Sequence, residues 1–417
     1  MPVTGPRIGL SDRIHLGESA TALIGPVDLP DLETVRRNLD AFASFGPATR
    51  IALRPDPDGR RWIHDPRRLL DTIEVVDEPA DPLDLLVPDG RPNAPMRITL
   101  AGRYLRTDHE HGVGEIRFGL LAHQIITGAV SPQDPVMLAQ ISRRWDGLAT
   151  AGLRVFGSRP TRVFDVLRSM RETKRTPAGP EFPIDAGAPA TTPPPNLGPH
   201  TVAVAAMPAD ALGDLRAWRD ATLPGTSLFA LVVSGLTRAL VRAGITVDDV
   251  GTLPVDLRRY LPRGTNPLAN FVSGIQLPLR DGNDPARLHD DLTAAVASGC
   301  PIVSLARVTA LSRAAQLLSP DGRHATMLPP KTPLVFTGIQ AHQQLMDSFP
   351  WIDRDNSVYV TGTRPAVPNG ITLQSATIHD RLLISASFQP ELHSPERIRE
   401  ALTAFATDPA GVLHRPG

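Results

Sequence analysis

Between Thr176 and Pro199 the chain reads TPAGPEFPIDAGAPATTPPPNLGP, and prolines this closely spaced forbid both a continuous helix and an internal strand. The segment is expected to run as a stiff, extended crossover. It divides the 417 residues into an N-terminal part, 1–175, and a C-terminal part, 200–417, each of ordinary domain size. A chain of this length favours two domains or one pseudo-duplicated unit over a single core.

Each part mixes helical and strand periodicity. In the first, Leu32, Val35, Leu39 and Phe42 recur at helical spacing before Gly46, while Thr49–Leu53 and Met96–Leu105 read as strands. Phe118, Leu121 and Ile125 share one face of a helix expected over Ile116–Ile126. In the second, a strand at Val202–Ala206 precedes a helix over Pro208–Ala221, and Thr226 or Ser227 caps the next helix. Later strands are expected at Val272–Leu279, Leu334–Thr337, Ser357–Thr361, Thr372–Ile378 and Leu382–Phe388, the last two joined at His379, Asp380 and Arg381, and a helix over Pro395–Phe405 closes the pattern. The fold class is mixed α/β in both parts.

Composition removes several function classes. With 41% hydrophobic and 21% charged residues the chain is too apolar to be disordered. A formal net charge of −1 offers no basic surplus for nucleic acid or an anionic membrane surface. No apolar run approaches the roughly 20 residues that span a bilayer, and Met1–Ser11 lacks a signal-peptide pattern. A cytoplasmic location is the expectation. The single cysteine, Cys300, excludes an intrachain disulfide and a cysteine-built structural zinc site.

There is no GxSxG elbow, GxxxxGK phosphate loop, HExxH pair or dinucleotide fingerprint. What stands out is Asp108-His109-Glu110-His111-Gly112-Val113-Gly114-Glu115, ionisable groups packed where a strand ends and a helix begins. Taken from the residues alone, two readings stay open. The cluster is an exposed polar turn; or His109 and His111, on one strand face, bind a metal with Glu115.

The segment Glu110-His111-Gly112-Val113-Gly114-Glu115-Ile116 resembles the HHxxxDG motif of condensation domains and polyketide-associated acyltransferases, members of the chloramphenicol-acetyltransferase-like superfamily. His111 matches the second, catalytic histidine and Glu115 the aspartate; Glu110 and Ile116 depart from the first histidine and the glycine. Pro254-Val255-Asp256-Leu257-Arg258-Arg259 resembles the strand whose arginine pairs with the motif aspartate, at Arg258. Asn270-Phe271-Val272-Ser273-Gly274-Ile275-Gln276-Leu277-Pro278-Leu279 is similar to the family's crossing segment, and Phe336-Thr337-Gly338-Ile339 resembles a later strand. The DFGWG segment of the plant-type enzymes is absent.

The resemblance implies two acetyltransferase-like subdomains forming a pseudo-dimer, with a tunnel at their interface. It implies an acyltransferase in which His111 is the general base, moving an acyl group from coenzyme A or a carrier-protein phosphopantetheine to an alcohol or amine. No tightly bound cofactor or metal is expected. The partners would be a small-molecule acceptor and an acyl or peptidyl carrier protein. Glu115 and Arg258 would form a structural ion pair, while His109, Asn270 and Ser273 are candidate substrate or oxyanion contacts. The departures at Glu110 and Glu115 leave a second reading, a catalytically degenerate condensation-like module that binds without transferring.

Overall fold

The computed structural model describes residues 3–86, 95–141, 147–175, 197–279, 284–318, 328–339 and 342–414. The proline-rich segment 176–199 therefore lies outside the described residues except at 197–199. The described residues group into two compact units, neither continuous in sequence: Met1–Ala151 with Leu257–Val272 and Ala341–Thr363, and Gly152–Asp256 with Ser273–Gln340 and Arg364–Gly417.

In the first unit, Asp31 accepts the Thr34 N–H and so opens helix Leu32–Ser44, whose buried stripe is Val35, Leu39 and Phe42. It packs on helix Ile116–Ile126, which buries Phe118, Leu120 and Ile125. The unit's five-stranded sheet runs in the order Val358–Thr363, Ser19–Gly25, Tyr104–Glu110, Met96–Ala101, Ile73–Val76. All neighbours are antiparallel except the last pair.

The single strand expected over Met96–Leu105 is instead a hairpin, with Ala101 opposite Tyr104. Gly102, at φ +59, takes the left-handed turn conformation that a side chain resists. The strand expected at Thr49–Leu53 is also displaced. A 3-10 turn covers Pro47–Thr49, Arg50 adopts φ +62, and the strand begins only at Leu53. It joins a smaller sheet ordered Val3–Arg7, Arg61–His64, Leu53–Pro55.

The second unit is built on a six-stranded mixed sheet in the order Val272–Pro278, Val247–Asp256, Thr332–Gly338, Ile371–Ile378, Arg381–Phe388, Thr201–Met207. His379, at φ +52, and Asp380 turn the hairpin that pairs Ile378 with Arg381. Ser227, rather than Thr226, caps helix Leu228–Arg242 by accepting the Ala230 N–H. That helix crosses Pro395–Thr407 so closely that a Cβ on Gly235 would stand 2.1 Å from the Phe405 ring.

The division expected at the proline-rich segment differs from these units in three places, each with a packing cause. Strand Val358–Thr363 completes the first unit's sheet beside Ser19–Gly25. Leu257–Val272 joins the first unit through Arg258 and Asn270. Helix Arg162–Arg175 packs on Cys300–Leu318 of the second unit. Among the described residues no single helix is long and apolar enough to cross a membrane.

Candidate active site at the His111 turn

Strand Tyr104–Glu110 carries alternating buried polar groups to its C-terminal end. Thr107 Oγ1 lies 2.7 Å from His123 Nε2, and the Tyr359 hydroxyl is 3.3 Å from His123 Nδ1. On the opposite face Thr21 donates to Asp108, 2.5 Å away, and Arg106 pairs with Asp108 at 2.9 Å. The strand stops at Glu110. A 3-10 turn over His111–Val113 follows, then extended Gly114, then Glu115 at the N-cap of Ile116–Ile126.

Glycine is required in this turn by close approach rather than by backbone conformation. A Cβ at Gly114 would stand 2.4 Å from Phe118 Cβ and 3.0 Å from the Leu268 carbonyl. At Gly112 it would meet Leu16 Cδ2 at 2.8 Å.

Each carbonyl of the turn is held by a side chain. Asn270 Nδ2 lies 2.9 Å from the His111 oxygen and 3.2 Å from that of Gly112. Arg50 donates Nη2 to the Gly112 carbonyl at 3.2 Å and Nε to that of Val113. His109 Nε2 is 3.3 Å from the Gly114 carbonyl. The His111 N–H is bonded to the Glu18 carbonyl at 2.7 Å. Asp12 ties the clamps together, taking Arg50 Nη2 at 2.8 Å on one carboxylate oxygen and the Asn270 N–H at 3.0 Å on the other.

Glu115 and Arg258 meet in a buried ion pair, Oε1 to Nη2 at 2.5 Å. Arg258 also donates Nε to the Pro267 carbonyl and Nη2 to that of Ala269, both at 2.8 Å. The second Glu115 oxygen accepts the Arg117 N–H at 3.3 Å, so one carboxylate both caps the helix and binds the arginine. Glu110, at the place of the motif's first histidine, accepts the Gly17 N–H at 2.6 Å and braces the turn 15–18. Burial raises its pKa.

Burial, with the His15 ring beside it, pushes His111 down to about 4, so its imidazole is neutral near pH 7 and carries a lone pair. Burial chiefly, then the charge of His111, takes His109 down to about 4. His111 is half-buried and stacked on His15, centroids 4.6 Å apart and planes 24° from parallel.

Two expected substrate contacts take a different part. Asn270 spends its amide hydrogens on the turn's carbonyls, leaving none aimed at an oxyanion, and His109 is buried edge-on to Phe118 with Nε2 on Gly114. Both side chains bond carbonyls of the turn. Ser273 is buried on strand Val272–Pro278 of the second unit. A metal site from His109, His111 and Glu115 is not assembled, since His109 faces Gly114 and Glu115 faces Arg258. Asp12, His15, Glu18 and Arg50 surround the turn without having been singled out from sequence, because nothing local marks residues that act so far along the chain.

No protein-family model matches the chain, nor does any curated protein sequence. Solved structures do. The trichothecene 15-O-acetyltransferase TRI3 of Fusarium sporotrichioides superposes with TM-score 0.59 at 12% identity, over 97% of this chain and 95% of that one. The first condensation domain of the calcium-dependent antibiotic synthetase, solved with a substrate analogue, gives 0.54 at 14%, covering 100% and 99%. Polyketide synthase associated protein 5 of Mycobacterium tuberculosis gives 0.55 at 16%, covering 97% and 100%. At these identities the likeness establishes the fold, the mixed α/β architecture shared by condensation domains and this acetyltransferase.

Proposed function

We propose that this chain transfers an acyl group from a thioester to an alcohol or amine, with His111 as the general base. The observation that carries the proposal is the turn 111–114, whose every carbonyl is fixed by a side chain while the His111 imidazole is left neutral. A base must be held to a fraction of an ångström to act, and the buried Glu115–Arg258 pair fixes the helix that follows it. The fold shared with an acetyltransferase and a condensation domain supports the reaction class.

In the reaction the imidazole takes the acceptor's proton as its oxygen or nitrogen bonds to the thioester carbonyl carbon. The tetrahedral intermediate collapses with cleavage of the C–S bond, and the imidazolium returns the proton to the departing thiolate. No acyl-enzyme forms, and Cys300, half-buried with its pKa raised by burial, takes no part. The donor is coenzyme A or a carrier-protein phosphopantetheine. Likeness to condensation domains and to a polyketide-synthase-associated protein favours the carrier.

The test is thiol release from a panel of acyl-CoA and acyl-carrier thioesters, each with alcohol and amine acceptors. Acceptor-dependent release supports the proposal. Binding of thioester without release under any pairing would favour the non-catalytic module instead, a reading to which the substitution of Glu110 for the motif histidine lends its weight.

A further inference from the structure

The turn that follows helix Leu10–Arg13 is stapled to the end of strand Tyr104–Glu110 at two points. Gly17 N–H bonds Glu110 Oε1 at 2.6 Å, and His111 N–H bonds the Glu18 carbonyl at 2.7 Å. Gly17, at φ +83, gives the turn the left-handed residue it needs. The consequence is that His15 and Glu18 stand beside His111. His15 Nδ1 is 2.9 Å from Glu18 Oε2, and the His15 ring stacks on that of His111.

One ligand-competent atom from each of His15, Glu18 and His111 falls within 4.8 Å of the other two. The His15 and Glu18 side chains are 31% and 33% exposed, so an ion has a path to them. Two imidazoles and one carboxylate are a donor set suited to borderline divalent ions, above all zinc, which then keeps a fourth position for water. Zinc ligands at bond lengths of about 2.0–2.2 Å lie roughly 3.3 Å apart in a tetrahedron, so the three half-buried side chains, now within 4.8 Å of one another, must close to hold an ion. The stacked rings hold their nitrogens in nearly parallel planes, so His15 leaves the stack, exchanging its hydrogen bond to Glu18 for a shared ion.

We propose that His15, Glu18 and His111 form a binding site for a zinc-type divalent ion, and that the bound ion takes His111 out of proton transfer. Only the second half rests on the acyl-transfer reading. The ligating nitrogen of His111 gives its lone pair to the metal, and no proton can be accepted there until the ion leaves. The site is therefore inhibitory, placed where one base is shared between two uses.

The experiment is calorimetric titration of the full chain, stripped with chelator, with zinc chloride in a non-coordinating buffer. One equivalent of zinc is expected to bind, with affinity falling on the order of tenfold or more in His15→Ala and in Glu18→Gln, since even the loss of a ligand's supporting contacts costs that much. Cys300→Ser should bind like the wild type. Circular dichroism of each variant secures the fold, and the near-isosteric Glu18→Gln keeps the test open should His15→Ala fail to fold. Zinc should also suppress thiol release in the wild type, chelator should restore it, and residual turnover of Glu18→Gln should resist zinc. Absence of stoichiometric binding, or binding indifferent to both substitutions, would overturn the site. Zinc bound with transfer undiminished would overturn the inhibition. Zinc bound to a chain that transfers nothing from any thioester would leave the site standing and count against the acyltransferase reading.

Discussion

Glu115 divides its carboxylate between two tasks, with Oε1 standing 2.5 Å from Arg258 Nη2 and Oε2 accepting the Arg117 N–H. Arg258 is in turn pinned to the carbonyls of Pro267 and Ala269, so the loop bearing Asn270 and the helix after His111 are locked by one ion pair. Removing one partner leaves the other charge buried and uncompensated, at a cost of about 3 to 5 kcal/mol when burial is complete. Glu115→Ala and Arg258→Ala should each lower stability and turnover, and the double variant should cost clearly less than the two singles summed. Unfolding free energies over the four proteins of the cycle check this, and strict additivity would show no coupling.

Asn270 offers a different lesion, since it touches the turn without carrying charge. Asn270→Ala removes a donor that two carbonyls share; Arg50 still serves the Gly112 oxygen and the Gly114 N–H still serves that of His111, so the cost should be that of lost hydrogen bonds, about 0.5–1.5 kcal/mol each, rather than of unsatisfied acceptors. Asn270→Asp should be worse, because its carboxylate faces the His111 and Gly112 oxygens and also Asp12, 3.4 Å from the amide nitrogen. Because Asn270 only positions the turn, kcat should fall more than KM rises. Steady-state kinetics with saturating thioester separate the two parameters, and a pure KM effect would instead place Asn270 on the substrate.

Gly114→Ala should damage the protein although the glycine backbone is extended. The new methyl falls 2.4 Å from Phe118 Cβ, which cannot move without shifting its helix. Overpacking of this kind costs about 1–3 kcal/mol, and thermal unfolding of the variant should show the loss. A variant as stable as the wild type would mean the turn accommodates a Cβ by another route.

Stability should fall on acidification through the buried histidines. Burial, and secondarily the charge of His109, holds His123 down to about 3 from its ordinary 6.5. Between those values the unfolded chain binds a proton that the folded chain refuses. Unfolding therefore takes up protons, and stability rises with pH across the window. It is fully present above 6.5 and is lost as pH falls towards 3. Urea midpoints across this range should drop steadily in the wild type. His123→Gln, which keeps a partner for Thr107 without the titrating ring, should show a shallower dependence, and an unchanged slope would remove His123 from the account.

How much of this was legible in the sequence followed from the range of the interactions concerned. Helices Leu32–Ser44 and Ile116–Ile126 could be read because their apolar spacing and capping residues are local. The hairpin at Gly102 was not, since the run Met96–Leu105 is apolar on both sides of a single glycine whose φ alone reveals the turn. The meeting of Glu115 with Arg258 could be expected from motif resemblance, whereas Asp12, Arg50, His15 and Glu18 could not. Arg50 reaches the turn only because its own left-handed backbone ends the expected strand, and His15 does so because Glu110 holds Gly17. Such contacts depend on the folded path and leave no periodic trace.

The central claim is that His111 moves the proton, and the most direct measurement is the rate of acyl transfer by His111→Ala beside the wild type, with the fold of both checked by circular dichroism. General acid–base catalysis contributes about 10²- to 10⁴-fold. His111→Ala should therefore lose that much in kcat with the unfolding transition retained. Transfer at close to the wild-type rate by a folded His111→Ala protein would contradict it.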